Sequence, residues 1–224
     1  MLRSVLAIGA HPDDIELGCG GTLAAHRAAG DAVTMLVVTG GQNGPGATAE
    51  RRAEAEAAAR NLDCLLRWGH LVDCAVTADA ATIAVIEKAI RDTDADVVYV
   101  HAPDDSHQDH RAVAAATLSA GRHSRRILHY RSPSTTRFEP TVFTDISAHL
   151  DTKIAALSCH RSQVENSAMV DPEVVAASAR HYGAQARVRH AEAFMPARFV
   201  WDLSPVLEMP LITQMPAYPA QVPA

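Results

Sequence analysis

The sequence predicts an α/β fold, a Rossmann-like three-layer sandwich in which helices cover both faces of a mostly parallel sheet. Two observations favour it. Short apolar runs alternate with segments of helical composition over residues 4–120, as in chains that build parallel sheets. The runs are apolar throughout, which is typical of strands buried on both faces. With 224 residues, 48% of them hydrophobic, the chain is long enough for one domain with its own core.

In the first part of the chain, predicted strands and helices take turns. The predicted strands are 4–9, 32–38, 64–67 and 97–100. The predicted helices are 20–29, 48–61, 79–91 and one that begins at Ser106 or His107. Gly30 can end the first helix and Thr48 can cap the second. Ile83, Ile86 and Ile90 give the third helix one apolar face.

Beyond Ala120 the alternation changes. Residues 127–130 and 141–145 are predicted strands, joined by a Ser/Thr/Pro/Arg loop. Helices are predicted over 147–159 and from 172 to about 189. Five of the twelve prolines fall within residues 205–224, so we expect one domain over 1–204 and an extended C-terminal arm over 205–224.

Composition excludes several classes of function. The net charge is −6 and only 4% of residues are aromatic, so a nucleic-acid partner is not expected. The four cysteines form no CxxC pair, which argues against a zinc ribbon. No apolar stretch is long enough for a membrane span, and the N-terminus lacks the features of a signal peptide. We therefore expect a cytoplasmic protein with no membrane partner.

A first polar cluster, His11-Pro12-Asp13-Asp14, follows the first predicted strand. Loops at the carboxyl ends of parallel strands form the ligand crevice of such sheets. Two of these side chains can bind a metal while one carboxylate stays free. A plain helix-capping role for the aspartates is the alternative. The glycines of residues 18–21 do not match G-x-G-x-x-G, and two aspartates would repel a pyrophosphate, so a nucleotide site is not favoured.

A second cluster, residues 101–110, follows the strand 97–100 and holds three His and three Asp. With the strand order 3-2-1-4-5, this loop and the first cluster flank the same crevice. Together they supply His, Asp and His with an open fourth position, as in catalytic zinc sites. Fe²⁺ is an alternative occupant of such ligands.

These motifs resemble the LmbE-like, or PIG-L, family of zinc-dependent N-deacetylases. The similarity rests on AHPDDIELGCGGTL and on His107-Gln108-Asp109-His110, and extends to residues 159–163 and 191–194. The resemblance implies that zinc is bound by His11, Asp14 and His110, with Asp13 as the general base. His107, as an imidazolium, would stabilise the oxyanion, and Asp109 would orient His107 or raise its pKa.

Two further residues are candidates for substrate binding. Arg51 lies three residues before Glu54 on a predicted helix, so it either forms a surface pair with Glu54 or lines the pocket. Asp73 falls where members of the family often carry Pro-Asp-Gly, but here the stretch is Leu71-Val72-Asp73-Cys74.

The function that this reasoning predicts is hydrolytic removal of an acetyl group from an N-acetylated amino sugar or a related small metabolite. The alternatives are an amidase that cleaves a larger amide, such as a thiol conjugate, and a catalytically silent metal-binding scaffold. A homo-oligomer is compatible with the sequence.

Overall fold

The computed structural model describes residues 2–165 and 170–201. The predicted arm over 205–224 lies outside the described residues. The strands are β1 Ser4–Gly9, β2 Ala32–Thr39, β3 Leu65–Leu71, β4 Val97–His101, β5 Arg126–Tyr130, β6 Val142–Asp145 and β7 Ala191–Phe199. The helices are α1 Asp14–Ala28, α2 Thr48–Asn61, α3 Ala80–Thr93, α4 Gln108–Ala120, α5 Leu150–Leu157, α6 Arg161–Val164 and α7 Pro172–Ala186. None of these helices is both long and apolar enough to cross a membrane.

The strands form one sheet with the order β3-β2-β1-β4-β5-β7-β6. The five strands from β3 to β5 are parallel, while β7 pairs antiparallel with both β5 and β6. The predicted α/β class and the predicted order 3-2-1-4-5 are therefore confirmed. The strand order reverses between β1 and β4, which creates a crevice at the carboxyl ends of these two strands.

Two apolar cores lie on opposite faces of the sheet. Val5 and Ala7 of β1 pack in the core that α1 and α5 cover, whereas Leu6 and Ile8 pack in the core that α3 and α4 cover. Successive side chains of a strand point to opposite faces. The positions of a strand that lie between two helical layers must therefore be apolar on both faces, as Val5–Ile8 of β1 are.

Strand β7 was not predicted, and Pro196 within it explains why. Proline cannot donate a hydrogen bond to a sheet ladder and is confined to edges and bulges. In the structure Pro196 faces Leu128 where the register between β5 and β7 shifts. The irregularity accommodates the proline, so β7 continues to Phe199.

Helix α1 begins at Asp14, six residues before the predicted start at Gly20. It is kinked at Cys19, whose φ of −144° is not helical. At the kink, the backbone N–H groups of Gly21 and Thr22 donate to the Glu192 carboxylate over 3.0 and 2.6 Å. The Leu17 carbonyl accepts a 2.6 Å bond from Lys153, which also pairs with Glu192. Side chains of α5 and β7 thus satisfy the backbone groups that the kink leaves unpaired.

Candidate metal centre and active site

The two polar clusters meet at the reversal of strand order. His11, Asp13 and Asp14 follow β1, and His107 and His110 lie at the start of α4 beyond β4. Because β1 and β4 are parallel neighbours, their carboxyl ends open on the same crevice. The sheet therefore brings His11 and His110 into contact, although they are 99 positions apart in the sequence.

Three side chains in this crevice bring donor atoms to the spacing of metal ligands. His110 Nε2 lies 3.3 Å from His11 Nδ1 and 3.4 Å from Asp14 Oδ1, and His11 Nδ1 lies 3.4 Å from Asp14 Oδ2. Ligands about 2.0–2.1 Å from a tetrahedral zinc ion lie roughly 3.3 Å apart. All three residues are buried. These distances reach two different oxygens of Asp14. Three overlapping groups of side chains in the crevice could hold a metal ion, namely His11 with His107 and His110, Asp14 with His101 and His110, and His11 with Asp73 and Asp109.

In His11 and in His110, the second ring nitrogen contacts a carboxylate, as is common for histidines that bind a metal. His11 Nε2 lies 3.0 Å from Asp73 Oδ1 and 3.2 Å from Asp109 Oδ2. His110 Nδ1 lies 3.2 Å from Asp105 Oδ2. A metal-binding histidine commonly donates its other N–H to a carboxylate, which fixes the ring and its tautomer. This second observation agrees with the ligand spacing.

Electrostatics also favour a cation here. Burial disfavours protonation of His11, but its hydrogen bonds to Asp109, Asp14 and Asp73 raise its pKa to about 12. Burial alone would raise the pKa of Asp14, yet His110 and His101 hold it well below the usual value. The carboxylates around His11 therefore stabilise positive charge, and a divalent cation would satisfy the same demand.

Asp109 contacts His11, a partner that the sequence did not indicate. Its carboxylate contacts His11 and accepts backbone bonds from Cys74 (2.7 Å) and Val76 (3.2 Å). It makes no side-chain hydrogen bond to His107; the contact between the two residues runs from the Asp109 backbone N–H to His107 Nδ1, over 3.3 Å. Asp109 thus contacts His11 and anchors the loop that carries Cys74. Its charge also raises the pKa of His107, as one of the two predicted alternatives has it, although burial and the charges of His11 and His110 lower that pKa overall.

Asp73 also contacts His11, through its Oδ1 atom. Its second oxygen accepts a 2.7 Å bond from the Asn43 backbone, and it lines the cavity over the centre. The hydrogen bond from His11 lowers the pKa of Asp73. The predicted substrate-binding role of Asp73 stays a prediction, and what the structure adds is its contact with a candidate metal ligand.

Asp13 lines the same cavity and belongs to none of the groups of described residues that could hold a metal ion. It precedes α1 with a φ of 102°, a left-handed conformation that costs energy in a non-glycine residue and is concentrated at functional sites. It is half-buried and lines the cavity. Burial and the charge of Asp14 raise the pKa of Asp13 to about 7, against opposing effects of His160 and Arg51.

His107 is placed as a neutral hydrogen-bond donor. Its Nδ1 accepts the Asp109 backbone N–H, which leaves the ring proton on Nε2. Burial and the positive charges of His11 and His110 lower its pKa. Its ring stacks on His110 with centroids 4.6 Å apart. The imidazolium that the sequence led us to expect is disfavoured by these neighbours.

Arg51 lines the cavity and does not pair with Glu54. Its guanidinium donates to the carbonyls of Gly41 (2.8 Å) and Pro12 (3.2 Å), so it fixes the backbone next to Asp13. Glu54 instead accepts hydrogen bonds from the backbone and hydroxyl of Ser162. The sequence left two alternatives for Arg51, a surface pair with Glu54 or a position in the wall of the pocket, and the structure shows the second.

His101 belongs to the second predicted cluster, but the sequence analysis gave it no role. It is fully buried, and its Nε2 lies 3.0 Å from the Ala10 backbone nitrogen and 3.2 Å from Asp14 Oδ2. Its ring stacks on His110 at 3.9 Å. Burial lowers its pKa to about 4. Its position could have indicated a role in the site, because His101 is the last residue of β4 and the carboxyl ends of β1 and β4 form the crevice.

An open cavity of about 300 Å³ lies over these residues. Its walls include the candidate ligands and Asp13, with Asn43, Arg51, Cys74, Ser134, Gln163 and Val170 around them. This volume admits a small molecule.

Comparison with known proteins agrees with this geometry. Residues 6–121 match the PIG-L family, described as GlcNAc-PI de-N-acetylase. That segment contains both polar clusters and is more than half of the chain. The chain belongs to the PIG-L family. The uncharacterized deacetylase YaiS of Escherichia coli (strain K12) is 36% identical over 170 residues, which cover 71% of this chain and 91% of YaiS.

Solved structures share the whole architecture of this PIG-L family member. The conserved protein TT1542 from Thermus thermophilus is 28% identical with a TM-score of 0.83, covering 90% of this chain and 98% of its own. N,N'-diacetylchitobiose deacetylase from Pyrococcus horikoshii is 24% identical with a TM-score of 0.76, covering 87% and 83%. GalB, a 4-carboxy-2-hydroxymuconate hydratase from Pseudomonas putida KT2440, is 22% identical with a TM-score of 0.78, covering 91% and 100%. These last two similarities concern the fold, which therefore does not by itself fix the reaction.

Proposed function

We propose that this protein is a metal-dependent N-deacetylase that hydrolyses an N-acetylated amino sugar or a related small metabolite. The observation that carries the proposal is the set of His11, Asp14 and His110, with donor atoms 3.3–3.4 Å apart, beside the unligated carboxylate of Asp13. A purely structural site has no use for such a carboxylate. The family description and the name of YaiS support the same chemistry.

We propose Zn²⁺ as the resident ion, held by His11, Asp14 and His110, with Fe²⁺ as the alternative. When bound, the ion supplies Lewis-acid activation of a water molecule and of the amide carbonyl. The imidazole and carboxylate donors suit either metal. Asp73, Asp109 and Asp105 hold the two imidazoles in the required orientation through their outer nitrogens.

Asp13 is the proposed general base and then the general acid. It takes a proton from the attacking water and returns a proton to the amine nitrogen as the C–N bond breaks. A pKa of about 7 suits both directions of transfer near neutral pH. Arg51 supports this role by holding the Pro12 carbonyl, which limits how far the backbone at Asp13 can move.

His107 is the proposed hydrogen-bond donor to the oxyanion. Its Nε2–H is free to donate into the cavity because Nδ1 is occupied by the backbone of Asp109. A fixed donor aimed at developing negative charge is among the largest contributions to catalysis of acyl transfer. A neutral imidazole serves this purpose without changing its charge.

The test is acetate release from a panel of N-acetylated amino sugars and their conjugates, with zinc-loaded and chelator-stripped protein in parallel. We expect acetate only from the zinc-loaded protein. Asp13→Asn should lose at least about a hundredfold in rate while still binding zinc, and His110→Ala should lose zinc. Turnover that survives in Asp13→Asn would overturn the assignment of the base.

Other outcomes discriminate between the alternatives. Release of a larger acid instead of acetate would identify an amidase of larger amides. Firmly bound zinc without any turnover would identify a silent scaffold and refute the deacetylase.

A further inference from the structure

Gln163 is a buried residue in the wall of the metal-centre cavity, and the proposed reaction does not use it. It lies in the short helix α6, and only 9% of its surface is exposed. It lines the same cavity of about 300 Å³ as Asp13 and His107. A glutamine amide has two N–H donors and one carbonyl acceptor. The contacts of this amide therefore decide which of its groups is left for a ligand.

Both hydrogen bonds of the Gln163 side chain start from Nε2. One goes to the Pro45 carbonyl and the other to Ser162 Oγ, each over 3.0 Å. The Pro45 carbonyl can only accept, so it must face an N–H group. The two hydrogens of Nε2 are thus both used by the protein. Among the residues that the structure describes, none donates a hydrogen bond to Gln163 Oε1.

Glu54 fixes the orientation of this amide through Ser162. The Ser162 hydroxyl donates to Glu54 Oε2 over 2.6 Å, and the Ser162 backbone N–H donates to Oε1 over 2.8 Å. Because a hydroxyl has one proton and a carboxylate can only accept, Ser162 Oγ is an acceptor toward Gln163. Turning the amide over would place its oxygen against two acceptors and lose both hydrogen bonds. The network therefore keeps Nε2 on the protein and leaves Oε1 for the cavity.

Gln163 lies on the side of the cavity that holds Asp13. Its backbone N–H donates to the His160 carbonyl over 3.0 Å, and the charge of His160 acts to lower the pKa of Asp13. Its Nε2 contacts the loop between β2 and α2, and Arg51 joins the same loop to the backbone carbonyl next to Asp13. In the proposed reaction Asp13 returns a proton to the amine nitrogen, so the amine half of the substrate occupies this side.

We propose that Gln163 is a specificity-determining residue whose Oε1 accepts a hydrogen bond from the amine half of the substrate, either from the amide N–H or from a hydroxyl beside it. A fixed and buried acceptor selects strongly for a ligand that carries the matching donor, because the acceptor is left unpaired when the donor is missing. This inference rests on the proposed function, since it uses the side of the cavity on which the amine leaves.

The test uses three probes in the zinc-loaded protein. They are N-acetylglucosamine, its N-methyl derivative, which lacks the amide N–H, and its 3-deoxy derivative, which lacks the hydroxyl beside the acetamide. Gln163→Leu should lower kcat/KM for N-acetylglucosamine by at least about tenfold. The derivative that lacks the donor contacted by Gln163 should lose much less on the same substitution. Equal losses for all three probes would overturn the proposal.

Two further variants separate the acceptor from a general effect of substitution. Gln185→Leu replaces an exposed glutamine of α7 outside the cavity and should leave all three values of kcat/KM unchanged. Glu54→Gln tests the positioning role of Glu54, because a glutamine there can donate to Ser162 and let the Gln163 amide turn over. We expect KM for N-acetylglucosamine to rise several-fold in Glu54→Gln with the zinc content unchanged. An unchanged KM would refute the role of Glu54.

Calorimetric binding of N-acetylglucosamine keeps the inference distinct from the proposed function. Full turnover in Gln163→Leu would overturn the role of Gln163 while the deacetylase stands. Binding that Gln163→Leu weakens about tenfold, in a wild type that releases no acetate, would support Gln163 and refute the deacetylase. If Gln163→Leu fails to fold or loses zinc, the probes are compared in Glu54→Gln, where unchanged discrimination between them would overturn the proposal.

Discussion

At the scale of single residues, His11 uses its two ring nitrogens for two purposes. Nδ1 faces Asp14 and His110, while Nε2 faces Asp73 and Asp109. A donor atom can serve a metal well only when the ring cannot turn away. For the proposed ligand set, we therefore expect metal affinity to depend on Asp73 and Asp109, which contact His11 through its other nitrogen.

Replacing Asp109 tests this dependence. In Asp109→Asn one carboxylate oxygen becomes an NH₂ group, so the side chain can no longer accept all the hydrogen bonds from His11, Cys74 and Val76. We expect zinc affinity to fall by about 10–100-fold, measured by competition with a chromogenic chelator. The control is Asp104→Asn, at an exposed position in the loop before α4. Equal zinc affinity in the two variants would contradict the role of Asp109.

The sequence predicts which residues gather here but not how their side chains pair. His11 and His110 each follow a buried strand, so the topology alone brings them to one crevice. The partners of Asp109 are backbone groups of residues 74 and 76, in a loop about 35 positions earlier. Nothing in the sequence around Asp109 indicates this loop. The direction of the Asp109 side chain, in the first turn of α4, depends on its hydrogen bonds to the loop.

At the scale of elements, α1 shows how glycines are used for packing. A Cβ atom added at Gly18 would lie 2.2 Å from the ring of Tyr130, whose hydroxyl donates to the Ile8 carbonyl. At Gly20 the nearest atom to an added Cβ is Lys153 Cγ, at an ordinary 3.5 Å. In the structure this glycine-rich stretch lets α1 pack closely against the sheet.

This contrast predicts opposite effects of two small substitutions. Gly18→Ala should destabilise the fold by about 1–3 kcal/mol because Tyr130 is buried and cannot move away. Gly20→Ala should be neutral or stabilising by up to about 1 kcal/mol, since alanine favours helix over glycine. Urea unfolding of both variants measures this, and similar stabilities would refute the packing role of Gly18.

Helix α6 is tied to α1 by a buried pair between His160 and Glu16, with His160 Nε2 3.0 Å from the carboxylate. Burial alone would lower the pKa of His160, but Glu16 raises it above the ordinary value of 6.5. A group with a raised pKa in the folded state adds stability that is fully present below its unfolded pKa. That stability is lost as the pH rises through the folded-state pKa.

We therefore expect the wild type to lose more stability between about pH 6 and about pH 9 than His160→Gln does. Exposed His123 provides the control, since His123→Gln should follow the wild type. The measurement is the free energy of unfolding at both pH values with saturating zinc. Parallel curves for wild type and His160→Gln would rule out this contribution.

At the scale of the whole molecule, the pair of Lys153 and Glu192 joins three distant parts of the chain. Lys153 lies on α5, Glu192 on β7, and both bind backbone groups of α1. The side chains are 5% and 4% exposed. Strand β7 escaped prediction because Pro196 interrupts the strand pattern, so this connection was not foreseeable from local sequence.

Breaking this pair should be costly. Lys153→Met leaves the Glu192 carboxylate buried without its cation, which we expect to destabilise the protein by about 3–5 kcal/mol. Lys88→Met removes a comparable pair with Asp92 on the exposed face of α3 and should change stability little. Thermal unfolding of the two variants compares them directly, and equal melting temperatures would show that the buried pair is dispensable.

The kink in α1 has a consequence for the order in which the molecule assembles. All the proposed metal ligands lie within residues 6–121, the segment that matches the family. Yet Gly21 and Thr22 find their hydrogen-bond acceptor 170 or more positions later in the chain. Contacts of such sequence separation form late, because a long loop must close first. On a ribosome, the middle of α1 is therefore completed only after β7 has emerged, and a fragment that ends at residue 121 would hold every ligand without the support that fixes their helix.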